Sequence, residues 1–308
     1  LAQAITLVES LNIEHRKKAQ EILEACIPHS GKSIRIGITG VPGVGKSTFI
    51  EAFGKHLTTM GLKVAVLAID PSSSRNRGSI LGDKTRMEEL SVDLNAFIRP
   101  SPSSGSLGGV AQKTRETISL CEAAGFDIIL VETVGVGQSE TAVHSMVDFF
   151  LLMMIPGAGD ELQGIKRGVI EIADALLINK ADGDNKQKAE IAKSEYANAL
   201  HYLTQITEGW NVSVNLCSAI NNIGIVEFWN VVESFSKITK ETGYFNKRRK
   251  LQLKEWFNYL IEEKLKLDFL QNEHVKENLG LIEKQLLEND IFVIDAVEKL
   301  FENYKLTQ

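Results

Sequence analysis

The stretch Ile34-Arg-Ile-Gly-Ile-Thr39-Gly40-Val41-Pro42-Gly43-Val44-Gly45-Lys46-Ser47-Thr48 decides how the rest of this chain is read. Its first six residues form a short, isoleucine-rich apolar run, the pattern of a strand buried on both faces. The next eight, Gly40–Ser47, fit G-x-x-x-x-G-K-[ST], Thr48 follows, and a helix-spaced segment continues, so the motif lies between strand and helix as its chemistry requires. Glycines there let successive backbone N–H groups curl around an anion. Lys46 adds positive charge at the β- and γ-phosphates, Ser47 can ligate Mg2+, and the helix dipole favours a negative group. Residues 40–48 are therefore the candidate phosphate loop.

Working outward, Val64–Ile69, Phe126–Val131, Phe149–Ile155, Ala175–Ile178 and Val212–Leu216 are further short apolar runs, each followed by a helix-like stretch. This alternation predicts an α/β fold of the P-loop type, with a mainly parallel sheet flanked by helices. Residues 1–26 carry apolar side chains at roughly helical spacing and predict one amphipathic helix or a pair. From Val226 onward, Leu, Ile and Phe recur at three- and four-residue spacing, predicting three or four helices. Of 24 glycines, 20 lie between Gly31 and Gly183, and all six prolines precede residue 157. Turn-forming residues are thus concentrated in one part, and the end of the chain is helical. The expected division is an N-terminal helical segment, 1–30, a P-loop domain, 31–240, and a C-terminal helical arm, 241–308.

Composition excludes several classes. An apolar fraction of 44% with 24% charged residues is too apolar for disorder. A net charge of −6 argues against nucleic acid or anionic membrane as partner. The longest apolar run, Phe149–Ile155, is far short of the roughly 20 residues that span a bilayer. Cys26, Cys121 and Cys217 are widely separated, which disfavours a disulfide framework or a zinc site and fits a reducing compartment. The histidines are scattered singly.

A second motif follows the Ala175–Ile178 run: Asn179-Lys180-Ala181-Asp182. A carboxylate at Asp182 can accept from guanine N1–H and the 2-amino group, whereas adenine has an acceptor at the first position and lacks the second donor. A site built on such a bond discriminates by roughly 10⁴-fold. Lys180 would lay its stem along the base. Cys217-Ser218-Ala219-Ile220, after the next strand, resembles the base-recognition loop of GTPases. Together these segments point to GTP and GDP rather than ATP. Asp70, Asp83 and Glu132 stand at or just past predicted strand ends, where a carboxylate near a phosphate loop holds Mg2+ directly or through water. Lys46, Asp83 and Glu132 are the catalytic candidates; Ser47, Asp70, Asp83 and Glu132 are the metal candidates. Glu132-Thr-Val-Gly135 takes the place of DxxG. The following residue is Val136, where Ras-like enzymes carry a water-orienting glutamine, so slow intrinsic hydrolysis raised by a partner is expected.

Longer blocks carry a family resemblance. Ala68-Ile-Asp-Pro-Ser-Ser73, Gly78-Ser-Ile-Leu-Gly-Asp-Lys-Thr-Arg-Met87, Ser101-Pro-Ser-Ser-Gly-Ser-Leu-Gly-Gly109, Val131-Glu-Thr-Val-Gly-Val-Gly-Gln-Ser-Glu140 and Gly157-Ala-Gly-Asp-Glu-Leu-Gln-Gly-Ile-Lys166 resemble the methylmalonyl-CoA mutase-associated GTPases of the MeaB/ArgK type. The likeness extends from residue 4 through the base loop. It implies a GTPase chaperone of an adenosylcobalamin-dependent mutase, for methylmalonyl-CoA or a related acyl-CoA, gating cofactor loading and protecting or reactivating the enzyme. It also implies a homodimer, and a cytoplasmic address or, in a eukaryote, the mitochondrial matrix. Asp160–Lys166 matches an additional switch, in which Lys166 is either a relay to the partner or a solvated lysine. Arg75-Asn-Arg-Gly78 departs from the family's usual Arg-Thr-Gly-Gly; Arg75 and Arg77 read either as arginine-finger candidates or as solvated loop charges.

Two rivals stay open at this stage: a P-loop small-molecule kinase and a metallochaperone GTPase, the latter disfavoured by the absence of His- or Cys-rich tracts. Lys247-Arg-Arg-Lys250 reads as a solvated or interface patch. The stripes Leu251/Leu253/Trp256/Phe257/Leu260 and Ile291/Ile294/Val297/Leu300/Phe301 read as core, or as a homodimer surface where a small appendage cannot bury both.

Overall fold

The computed structural model describes residues 1–10, 12–70, 87–102, 107–133, 139–157, 167–202 and 206–305. Seven strands, β1 (Ile34–Gly40), β2 (Val64–Asp70), β3 (Ala96–Pro102), β4 (Ile128–Thr133), β5 (Phe149–Met154), β6 (Ala175–Ile178) and β7 (Ser213–Leu216), form one sheet. Its order is β3-β2-β4-β1-β5-β6-β7, and every pairing is parallel. Because β1 lies between β4 and β5, the carboxyl ends of these three strands lie side by side on one edge of the sheet. Ligands of open α/β sheets bind at such a crevice.

The near-continuous hydrophobicity of the strands reflects layers on both faces. Along β5, Phe149, Leu151 and Met153 enter one core with Phe49, Phe53, Phe228 and Phe235, whereas Phe150 enters another with Val143, Met146 and Val147. The first core is aromatic and packed edge-on, with Phe149 and Phe235 centroids 4.9 Å apart and Phe53 and Phe228 5.2 Å apart. Its helices are α3 (Lys46–Thr59) and, far later in sequence, α8 (Ile225–Glu241). On the opposite face are α4 (Leu107–Ala123) and α5 (Ser139–His144). Short α6 (Arg167–Glu171) and α7 (Lys186–Leu200) follow, α7 packing by β6 and β7. The N-terminal segment is a helix pair, α1 (Ala2–Glu9) and α2 (Ile13–Cys26). Asn12 caps α2 by accepting from Glu14 N at 2.8 Å, and Ile5, Val8 and Ala19 pack with Leu120 of α4.

Two features differ from the sequence reading. Six strands were expected, and β3 is the seventh. Its apolar run is only Ala96-Phe-Ile98, and it contains Pro100 and Pro102. As the edge strand it pairs only with β2, so prolines without an N–H are tolerated there. The second correction concerns Lys247-Arg-Arg-Lys250. Arg248 is buried and meets Asp174 at 3.0 Å. Arg249 donates to both oxygens of Asp148 at 2.6 Å and to the carbonyls of Gly31 and Ser33 at 2.7 Å. Asp148 and Asp174 immediately precede β5 and β6, and they also accept from the backbone N–H groups of Arg35 and Phe150 at 2.9 Å. The two arginines are therefore struts beneath the amino edge of the sheet, not solvated charges.

Two compact units divide at 249/250. The second contains most of α9 (Tyr244–Gln271), with α10 (Glu273–Leu287) and α11 (Val293–Lys305). Within it Phe269 packs on Phe301 at 4.6 Å, and Tyr304 Oη donates to Asp268 at 2.7 Å. The apolar stripes expected to form core are largely on the surface: Leu251, Leu253, Phe257, Ile294, Val297 and Phe301 are exposed. Among the described residues no helix is long and apolar enough to cross a membrane.

Breaking the Arg248 strut strands a buried carboxylate, a change that costs about 3–5 kcal/mol in comparable pairs. Arg248→Met should lower the urea midpoint by that amount of unfolding free energy, and Arg248→Lys by less; a midpoint unchanged in both would refute the strut.

Candidate nucleotide-binding site

The phosphate loop leaves β1 where nothing larger than glycine fits. A Cβ on Gly40 would lie 2.4 Å from the carbonyl oxygen of Met153 in β5, so the neighbouring strand dictates the residue. Gly45 adopts a φ of +92°, and a Cβ there would meet Asn179 Nδ2 at 2.7 Å. The next residue, Lys46, begins α3, and its ammonium folds back to donate to Gly40 O at 2.9 Å. Lys46 is 8% exposed. Burial pushes its pKa below the ordinary lysine value, and the carboxylates of Glu132 and Glu140 oppose that shift. An ammonium held by neutral carbonyls in a buried loop is a ready partner for an anion.

Glu132 pairs beside Ile38 in the β4–β1 register, one residue before the end of β4. Its Oε1 accepts from Ser47 Oγ at 3.3 Å, which brings two of the expected metal-holding oxygens together. Behind them Thr133 Oγ1 donates to Thr39 Oγ1 at 2.9 Å, both side chains being buried. The donors here are all hard oxygen, the set that suits Mg2+.

The base end is organised by Asn179. Its backbone N–H donates to Met154 O at 2.8 Å, extending the β5–β6 ladder by one bond. Its side chain Nδ2 donates to Val44 O at 2.9 Å, and its Oδ1 accepts from Ala219 N at 3.1 Å. One buried amide thus joins the phosphate loop to the base loop. Lys180 sits at φ +59°, outside the strand conformation, and its ammonium donates to Gly43 O at 2.8 Å. Its stem is thereby laid alongside the phosphate loop. Ser218 Oγ donates to Asp182 Oδ2, and Ala181 N donates to Cys217 O at 3.0 Å. Ile220 is exposed at the tip of this loop. Cys217 itself is inert, since burial, then the charge of Glu227, pushes its thiol up to about 12.

The fold therefore gathers Gly40, Val41, Pro42, Gly43, Val44, Gly45, Lys46, Ser47 and Thr48 with Glu132, Asn179, Lys180, Asp182, Ser218, Ala219 and Ile220 on one edge. Asp70 closes β2, though its side chain is not among those described. Asp83, Arg75, Arg77, Val136 and Asp160–Lys166 lie outside the described residues. Two further residues belong to the neighbourhood and no motif marked them: Glu140, whose charge acts on Lys46, and Asn221, which donates to Ser218 Oγ at 3.0 Å. A cavity of about 380 Å³ lined by Asp174, His201, Thr207 and Trp210, among others, shares no residue with this cluster.

Comparison with known proteins agrees with this geometry. The sequence matches the family described as "Methylmalonyl Co-A mutase-associated GTPase MeaB" over residues 1–274. It is 49% identical to a putative GTPase of Caulobacter vibrioides, over 99% of this chain and 94% of the relative. It is 46% identical to the mitochondrial methylmalonic aciduria type A homolog of Mus musculus, over 99% of this chain and 76% of the relative. Among solved structures, the crystal structure titled LAO/AO transport system kinase aligns with a TM-score of 0.78 and 39% identity, covering 99% of this chain and 92% of that one.

Removing the amide at Asn179 severs both of its side-chain bonds and leaves buried backbone groups unmet, a loss of about 1–3 kcal/mol for each such group. Asn179→Ala should weaken GDP binding at least tenfold in a calorimetric titration; an unaltered affinity would show that the two loops are held without it.

Proposed function

Since the chain belongs to the methylmalonyl-CoA mutase-associated GTPase MeaB family and is a GTPase, we propose that it is a nucleotide-switched chaperone of an adenosylcobalamin-dependent acyl-CoA mutase. In this reading it gates cofactor loading and protects or reactivates the mutase. The observation that carries the nucleotide part is the Asn179 clamp, which bonds the candidate phosphate loop and the candidate base loop to one side chain. The family's own description supports the mutase as client.

Residue roles follow from the chemistry. Lys46 exchanges the Gly40 carbonyl for the β- and γ-phosphates, gaining a charged acceptor for a neutral one. Ser47 and Glu132, with Asp70 and Asp83, would hold Mg2+, which would supply positive charge to offset the phosphates. Asp182 reads the guanine N1–H and 2-amino group, and Lys180 covers the base. The apolar faces of α9 and α11, exposed at Leu253, Phe257 and Ile294, serve homodimer formation. A helical arm that leaves such side chains in water gains stability by burying them against a second copy.

Asp182→Asn should cut GTP affinity and shift preference toward xanthine nucleotides, because the amide donates where the carboxylate accepted. Unchanged guanine preference in a competition assay would overturn the base assignment. The chaperone role is tested by co-precipitation with methylmalonyl-CoA mutase in the presence of a non-hydrolysable GTP analogue, GDP or no nucleotide. Association that depends on the nucleotide is expected; no association in any state would remove the mutase as client.

A further inference from the structure

Ser218 is fully buried, and its hydroxyl sits between two side chains. Its Oγ donates to Asp182 Oδ2 and accepts from Asn221 Nδ2 at 3.0 Å. A serine hydroxyl has a single proton. An amide N–H pointed at the oxygen closes that direction to the proton, so the proton is directed to the carboxylate. Asn221 thereby reinforces the direction in which Ser218 donates, which the acceptor-only carboxylate already favours.

The loop holds Asn221 in place for this. Ser218 and Ile223 exchange backbone bonds of 3.0 and 3.1 Å, and Asn221 N donates to Ser218 O at 3.1 Å. Asn222 takes a left-handed φ of +54°, and Gly224 follows at φ +81°. A Cβ on Gly224 would lie 2.3 Å from Leu216 O, so the chain can close the loop there only with glycine. On the other side Ala219 N is fixed to Asn179. The Asn221 side chain is consequently anchored at its own backbone, although the residue is exposed.

We propose that Asn221 is a positioning residue for base recognition, acting through the Ser218 hydroxyl to hold the Asp182 carboxylate in the orientation that pairs with guanine. The proposal rests on the reading of Asp182 given above. Each carboxylate oxygen has two lone pairs, so Oδ2 can take the serine proton and still accept from a base. Asn221 touches no part of the nucleotide in this scheme.

The relay makes a prediction that simple loss of a contact does not. Asn221→Ala removes one neutral hydrogen bond and leaves Ser218 able to donate to Asp182. Asn221→Asp replaces the donor by an acceptor, draws the serine proton away, and sets two carboxylates on one hydroxyl. In calorimetric titrations of the full chain with GDP, Asn221→Ala should weaken binding about two- to tenfold, the usual worth of one hydrogen bond. Asn221→Asp should weaken it at least about tenfold further, since charge-assisted bonds are the stronger class. With GTP, KM should rise for both while kcat stays within about twofold, as expected when only uniform binding is lost.

A double-mutant cycle then isolates the route. In a Ser218→Ala background there is no proton to divert, so the gap between Asn221→Asp and Asn221→Ala should shrink at least about fivefold, to what the repulsion of two neighbouring carboxylates alone gives. An Asn221→Asp penalty of undiminished size in that background would mean direct charge repulsion alone and would overturn the relay. So would an Asn221→Asp variant no weaker than Asn221→Ala. The Asp182→Asn variant is the separate control: if it keeps its preference for GDP over xanthosine diphosphate, the base assignment itself fails, whatever Asn221 does.

Discussion

A single buried amide ties the two halves of the site. Asn179 donates to the carbonyl of Val44 and accepts from the N–H of Ala219, so phosphate loop and base loop are fixed to one side chain. The arrangement propagates into residue choice. Gly45 has no room for a Cβ because Asn179 Nδ2 occupies the place, and its φ of +92° is one that glycine alone adopts without strain. Asn179 itself is aimed by β6, whose ladder bond to Met154 O it continues past the last strand residue. The sheet order places β5 between β1 and β6, so strand spacing sets how far apart the two loops leave the sheet.

How much of this could be read from the chain depended on the range of each interaction. The phosphate loop was legible because its chemistry is local: nine consecutive residues carry the turn, the charge and the helix start. Asn179-Lys180-Ala181-Asp182 was legible for the same reason, and its position at a strand end distinguished it from an arbitrary match. β3 was hidden because strand propensity describes central strands; Pro100 and Pro102 count against a strand anywhere except at an edge, and edge position is a property of the assembled sheet. Arg248 and Arg249 were hidden for a similar reason. A run of four basic residues looks solvated until Asp148, Asp174 and Glu122, all far upstream, are brought beneath it. Asn221 was missed because its partner is a hydroxyl three residues away with nothing unusual in its composition.

Stability and function occupy opposite edges of the sheet. At the amino edge, buried carboxylates are matched by arginines and by backbone donors, giving a network in which each removal is expensive. That network closes the catalytic unit at Arg249, immediately before the helical unit begins. Within the helical unit, Leu253, Phe257 and Ile294 are left exposed.

The carboxyl edge is itself divided, and the division has consequences for switching. At the base end the polar groups already find partners within the protein: Asn221 to Ser218, Ser218 to Asp182, Ala219 to Asn179, Lys180 to Gly43. In the proposed reading little has to change when a base arrives, so this end would select between bases by whether they fit a preset pattern. At the phosphate end a buried ammonium rests on neutral carbonyls with carboxylates close by, an arrangement that an anionic phosphate and a divalent cation would improve. A ligand shifts a conformational equilibrium only through its difference in affinity for the two states. That difference arises where the protein's own bonds are replaced, which is around Lys46 and Glu132 and not around Asp182. In the proposed reading, nucleotide identity and nucleotide state are read at separate ends of one site, joined through Asn179.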